Sequence, residues 1–184
     1  MKTVFFKYHI LKNISFSVLA CALLSACGIL EASQKIFEVV KDPEIQVGED
    51  SDQVSTLETV FFAQRNANTN TLGEEVPVSI LVIEMLGDSI FKTSEIFEFL
   101  DDPKLALGDQ FISVTEHTVP QGQFLTLPAV EMNSETKFIG VVGLFSEVEG
   151  ARWRDVAPVE PTGKIYVITV EIDRGQIAMQ LEER

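Results

Sequence analysis

Between Val76 and Leu86, Val78, Ile80 and Val82 fall on one side of an extended chain, and Leu81, Ile83 and Met85 on the other. Successive side chains of a strand point to opposite faces, so this segment fits a strand that is covered on both faces. Six further runs read as extended: Val54–Gln64 with Val60, Phe61 and Phe62, Gln110–Thr118 with Ile112 and Val114 together, Gln123–Val130, Lys137–Phe145, Lys164–Ile172 and Gln176–Glu182. The last has the cleanest period of two, with Ile177, Met179 and Leu181 alternating with Gln176, Ala178 and Gln180, and it follows a turn at Asp173-Arg174-Gly175. Val119-Pro120-Gln121-Gly122 has proline at i+1 and glycine at i+3, as a type I turn prefers. About seven short strands separated by turn signals predict a mainly β chain folded as a two-sheet sandwich.

One segment breaks the pattern. Ser94 is an N-cap candidate, Glu95 puts an acid in the first turn, and Ile96, Phe97 and Leu100 can share one helical face. Asp101-Asp102-Pro103 ends this helix, since proline cannot continue it. We expect it to cover one end of a sheet. Earlier, Ile29, Leu30, Ile36, Phe37, Val39 and Val40 make a helical pattern that stops at Asp42-Pro43, and Gly48-Glu49-Asp50-Ser51-Asp52 reads as a polar linker. Packing of that helix on its own domain is favoured over a role in binding a partner.

The N-terminus sets the compartment. Lys2, Lys7 and Lys12 precede any acid, and Ile14–Leu24 is apolar and uncharged. A membrane span needs roughly 20 apolar residues, so this stretch fits the core of a secretory signal. It ends in Leu24-Ser25-Ala26-Cys27-Gly28, which resembles the lipobox of bacterial lipoproteins. That resemblance implies cleavage before Cys27, a diacylglyceryl thioether on its sulfur, and fatty-acyl chains on the new N-terminus. Cys21 lies inside the apolar core, where cleavage is disfavoured. Each buried lipid CH₂ contributes about 0.8 kcal/mol, and two chains already anchor stably. Lipoproteins kept at the inner membrane typically carry Asp after the cysteine; Gly28 therefore favours the outer membrane, periplasmic face. The expected organisation is a signal peptide over 1–26, a lipidated tether with a short helix over 27–53, and a sandwich over 54–184.

Charge narrows the functions. Removing residues 1–26 takes three lysines and no acid from the 14 basic and 28 acidic residues, leaving 158 residues with a net charge of −17. That argues against nucleic acid, which needs a basic footprint, and against adhesion to anionic lipid through charge. With Cys27 consumed by lipid, the mature chain has no other cysteine, which excludes thiol catalysis and cysteine metal sites.

From about Phe62 to Val159 the sequence resembles TssJ, the outer-membrane lipoprotein family of type VI secretion systems. The matching elements are the Pro-Val-led strand Val76–Leu86, Phe91 and Phe97-Glu98-Phe99-Leu100 with Leu107-Gly108-Asp109, the turn Val119–Gly122, the glycine-punctuated Phe138–Phe145, and Ala151-Arg152-Trp153-Arg154. The family's usual tyrosine in its second strand is replaced by acid or apolar residues around Glu84 and Met85. The resemblance implies a transthyretin-like two-sheet sandwich with one or two short helices and no catalytic residue, metal or cofactor. It also implies that the chain tethers the secretion membrane complex to the outer membrane, by binding the periplasmic C-terminal domain of the large inner-membrane component, TssM. The loop between the first two strands is central to that contact. Here it comprises Asn66, Ala67, Asn68, Thr69, Asn70, Thr71, Leu72, Gly73, Glu74 and Glu75. A plain hairpin loop has two to five residues, and the excess suits recognition by a loop held on a rigid scaffold. Exchanging Asn68–Leu72 for glycine and serine is expected to abolish binding and spare the fold.

Other candidates carry less. Arg152-Trp153-Arg154 has the composition of an interface hot spot, but a core tryptophan with arginines reaching solvent is favoured. His117, the single histidine after the signal, would have to serve as base in any serine hydrolase; with no serine-elbow motif, a surface or packing role is favoured. One histidine makes zinc improbable. Glu74/Glu75, Asp101/Asp102 and Glu147/Glu149 match no calcium loop and read as solvated faces. The competing functions are a periplasmic ligand-binding or carrier lipoprotein, which needs a concave apolar pocket, and a lipid-anchored hydrolase, which the histidine count weakens. No small-molecule substrate is expected.

Overall fold

Every run read as extended forms a strand in the computed structural model, which describes residues 53–184. The signal, Cys27, the Ile29–Val40 pattern and the Gly48–Asp52 linker lie outside the described residues. In chain order the strands are β1 (Thr56–Ala63), β2 (Val78–Met85), β3 (Phe111–Val119), β4 (Gln123–Glu131), β5 (Phe138–Leu144), β6 (Arg154–Pro158), β7 (Ile165–Asp173) and β8 (Gln176–Glu183). One sheet has the order β4-β1-β7-β8 and the other β3-β2-β5-β6. β1 and β7 pair in parallel; the remaining pairs are antiparallel.

β2 is covered on both faces, as its residues require. Val78, Ile80 and Val82 join Leu57, Phe61, Ile139, Val141, Ile168 and Val170 between the sheets. Leu81, Ile83 and Met85 point the other way, into a second core with Phe91, Phe99 and Leu107. That second core lies under α1 (Ser89–Thr93), α2 (Ile96–Asp101) and α3 (Pro103–Leu107), followed by a 3-10 turn at Gly108–Gln110.

The helical region differs from the sequence expectation in three ways. The N-cap of α2 is Glu95, not Ser94, and Glu95 and Glu98 form a reciprocal capping box. Its buried face is Ile96 and Phe99, whereas Phe97 and Leu100 face outward. Pro103 ends one helix and opens the next: it sits in the first turn of α3, where the missing N–H costs nothing, and the Asp102 carboxylate accepts from the Lys104 and Leu105 amides at 2.9 and 3.2 Å. β6 is also additional to the strands read from the sequence.

The Arg152–Arg154 element locks the helical region to the sandwich. Trp153 is half-buried and packs against both cores, with its ring 5.8 Å from that of Phe99. Arg154 does not reach into solvent as expected. Its Nη1 donates to the carbonyls of Phe91 at 2.7 Å and Ser94 at 2.5 Å, its Nη2 donates to that of Lys92, and its guanidinium lies 4.3 Å from the Trp153 ring centre. Burial pulls the Arg154 pKa down from its ordinary value, with Glu95 opposing. Arg152 stays exposed and meets Asp155 at 3.4 Å.

Candidate recognition site

Four connections gather at the end of the sandwich where β1 leads into β2: loop 66–75, the turn at Pro120–Gly122, the β5–β6 loop, and the β7–β8 turn. In the last, Arg174 (φ +44°) and Gly175 (φ +73°) are both left-handed, as a tight hairpin turn joining twisted strands requires.

Loop 66–75 is built from its own polar side chains. Asn66 takes φ +61°, a conformation asparagine tolerates better than most residues. The Asn70 carboxamide oxygen accepts from the amides of Leu72 and Glu74, both at 2.9 Å, and its nitrogen donates to Glu74 Oε2 at 2.8 Å. The Asn70 amide donates to the Glu74 carbonyl at 3.0 Å and Gly73 (φ +80°) donates back to Asn70 at 2.9 Å. This is a self-stapled turn around one asparagine. Leu72 sits at its tip, 80% exposed.

The neck is fastened to the scaffold. Asn68 is buried; its Nδ2 donates to the Pro77 carbonyl at 3.1 Å and its Oδ1 accepts from the Ser146 amide at 2.9 Å. Gln121 Nε2 donates to the Asn68 carbonyl and, at 2.6 Å, to that of Val76, while its Oε1 is buried without a hydrogen-bond partner. Ala67 is buried and its carbonyl accepts from Gly175 N at 3.0 Å. Of the ten loop residues, Ala67 and Asn68 are therefore fixed inside the fold, Thr69 and Asn70 are half-covered, and the accessible surface is Asn66 with Thr71–Glu75. Exchanging Asn68–Leu72 as a block would disturb the fold, contrary to the sequence expectation. The residues that sequence reasoning missed are Gln121 and Ser146, which meet the loop from 53 and 78 positions away. Beside the loop, Asn66, Thr69, Glu147, Glu149 and Arg174 border an open, polar cleft of about 250 Å³.

His117 lies on β3, half-buried, with its ring 5.7 Å from that of Phe61 and Nε2 3.1 Å from Thr115 Oγ1. It lines a cleft of about 280 Å³ with Leu57, Val82, Leu127 and Val130. Ser113 borders the same cleft but donates its hydroxyl to Glu84 at 2.9 Å. Burial holds the His117 pKa below its ordinary value of 6.5, against a smaller upward pull from Glu116. The unfolded chain then takes up a proton first, so this residue's contribution is full above pH 6.5 and is lost as pH falls below it. His117→Gln is expected to remove that component: between pH 7.5 and pH 5.5 the urea midpoint of the parent protein falls further than that of the variant.

The fold and this end surface define a transthyretin-like β-sandwich that displays a stiffened loop at one end and a clamped helical layer on one face. The chain belongs to the type VI secretion lipoprotein family (VasD, EvfM, TssJ), whose model matches residues 55–175. Among solved structures it is similar to the type VI secretion lipoprotein TssJ1 of Pseudomonas aeruginosa: TM-score 0.64, 19% identity, covering 70% of this chain and 97% of that one. It is also similar to Lip of Serratia marcescens, a membrane-bound component of the type VI secretion system (TM-score 0.61, 19% identity, 69% and 96% covered). A chain of a type VI membrane complex matches with TM-score 0.59 and 19% identity, over 70% and 99% of the two chains. No curated protein sequence matches.

Proposed function

We propose that this lipoprotein tethers a type VI secretion membrane complex to the outer membrane: acyl chains on Cys27 hold it at the periplasmic face, and loop 66–75 binds the periplasmic C-terminal domain of the large inner-membrane component, TssM. The observation that carries the reading is the construction of the loop. Asn70 staples its tip, and Asn68 and Gln121 fasten its neck. A loop fixed before it meets its partner loses little conformational freedom on binding. Leu72 is the apolar anchor it presents.

Titration of the detergent-solubilised lipoprotein with the purified periplasmic domain tests this. Leu72→Asp is expected to weaken binding at least about thirtyfold, the scale of a hot spot of about 2 kcal/mol, with an unchanged urea midpoint. Undiminished affinity would remove the loop from the contact. Cys27→Ser is expected to abolish palmitate labelling and shift the chain from the membrane to the soluble periplasmic fraction.

A further inference from the structure

A second surface is presented on the helical layer, separate from the loop. Phe97 and Leu100 stand one turn apart on α2, 63% and 48% exposed, and Leu105 on the adjoining α3 is 82% exposed. Nothing in the described fold covers them, and the core does not need them: Phe91, Ile96, Phe99 and Leu107 already fill the inward side. Isolated exposed apolar residues are ordinary, but three large ones within nine positions of one packed helix pair form the kind of patch that marks an interface.

The layer is also held stiffly. The Glu95/Glu98 box starts α2, the Asp102 side chain starts α3, and Arg154 grips three carbonyls at the end of α1 and just beyond it. The exposed side chains therefore stand on a fixed platform.

Charge selects the occupant. From Asp88 to Asp109 there are six acids and two lysines, and one of those lysines, Lys92, is taken by Asp88 at 2.5 Å. Glu98 and Asp101, exposed, adjoin Phe97 and Leu100 along α2. Such a surface repels anionic lipid and a second copy of itself, and it complements an apolar strip edged with lysine or arginine. We infer that Phe97, Leu100 and Leu105 form a docking surface for a protein partner that presents an apolar strip with a basic rim. The helical region follows the far end of β2 from the loop, and eight strand residues span about 25 Å. The contact is therefore additional to the one proposed for the loop and stands without it.

The test places a photo-crosslinking amino acid at Phe97, Leu105 or Leu72 of the full-length lipid-anchored chain in the bacterium that makes it, and maps the crosslinked peptides. Positions 97 and 105 are expected to join the same partner protein, at a segment where apolar residues are flanked by lysine or arginine. Asp101→Lys with Asp109→Lys, both exposed, is expected to cut that adduct at least tenfold; Leu72→Asp is expected to leave it unchanged. Adducts to lipid, to a second copy of this chain or to a segment without a basic rim would overturn the inference, as would no adduct or one indifferent to the charge reversal. The crosslinker at position 72 reports on the loop alone, so failure of one contact is distinguishable from failure of the other.

Discussion

Phe91→Ala is expected to lower the unfolding free energy by about 3–5 kcal/mol, the range for removing a buried aromatic ring and leaving a cavity. Phe91 is fully buried and meets the Phe99 ring edge-on at 5.4 Å. Its site has no spare volume on the sheet side: a Cβ on Gly140 would lie 2.8 Å from the Phe91 ring and 2.7 Å from Met85 Cε. The glycine in β5 is what lets the helical layer approach the sheet so closely. With the ring gone, the backbone cannot move in far, because Arg154 ties the Phe91, Lys92 and Ser94 carbonyls to β6. The cavity therefore persists, which places the cost toward the upper part of the range. Urea denaturation followed by the fluorescence of Trp153, which contacts Phe99, measures it directly.

Asn68→Ala is the second large effect, and it acts on stability and recognition together. The substitution leaves the Ser146 amide and the Pro77 carbonyl without their partners, at a cost of about 2–3 kcal/mol for groups that water reaches only in part. It also unfastens the neck of the loop, so Leu72 no longer stands in one place. Binding of the proposed partner, the periplasmic domain of the inner-membrane component, is expected to fall more than the lost stability alone explains, because the folded fraction remains high. Calorimetric titration at a temperature well below the unfolding midpoint separates the two losses. Equal binding by Asn68→Ala and the parent protein would show that the neck plays no part in recognition.

Most of the sandwich was legible because its strands are long enough for alternation to repeat. β2 and β8 each repeat it several times, and the two-sided apolarity of β2 correctly required cover on both faces. β6 was not legible: Arg154-Asp155-Val156-Ala157-Pro158 is five residues with two charges and a terminal proline. Its charges are spent inside the fold, on helix carbonyls by Arg154 and on the Met179 amide by Asp155 at 3.0 Å. The face of α2 was misread because Ile96, Phe97, Phe99 and Leu100 make both sides of the helix apolar. Periodicity cannot choose between them; the position of Phe91 and Leu107 does. In the loop, the residues alone favour a solvated connection; it is the resemblance to the type VI secretion lipoprotein family that makes this loop a recognition candidate. Which of its residues face outward depends on Gln121 and Ser146, and contacts so distant in sequence leave no local signal.

The parallel pairing of β1 with β7 has a kinetic consequence. Thr56 lies opposite Ile165 and Ala63 opposite Ile172, so the first strand described is completed by one of the last. Closing loops of that length precedes any gain from the contacts, and folds dominated by such pairings reach the native state in milliseconds to seconds. A chain that emerges N-terminus first cannot finish this sheet until β7 has emerged, so β1 waits with one side unpaired. The delay exposes a bare strand edge to neighbouring chains, making the interval before β7 arrives the period in which aggregation competes with folding.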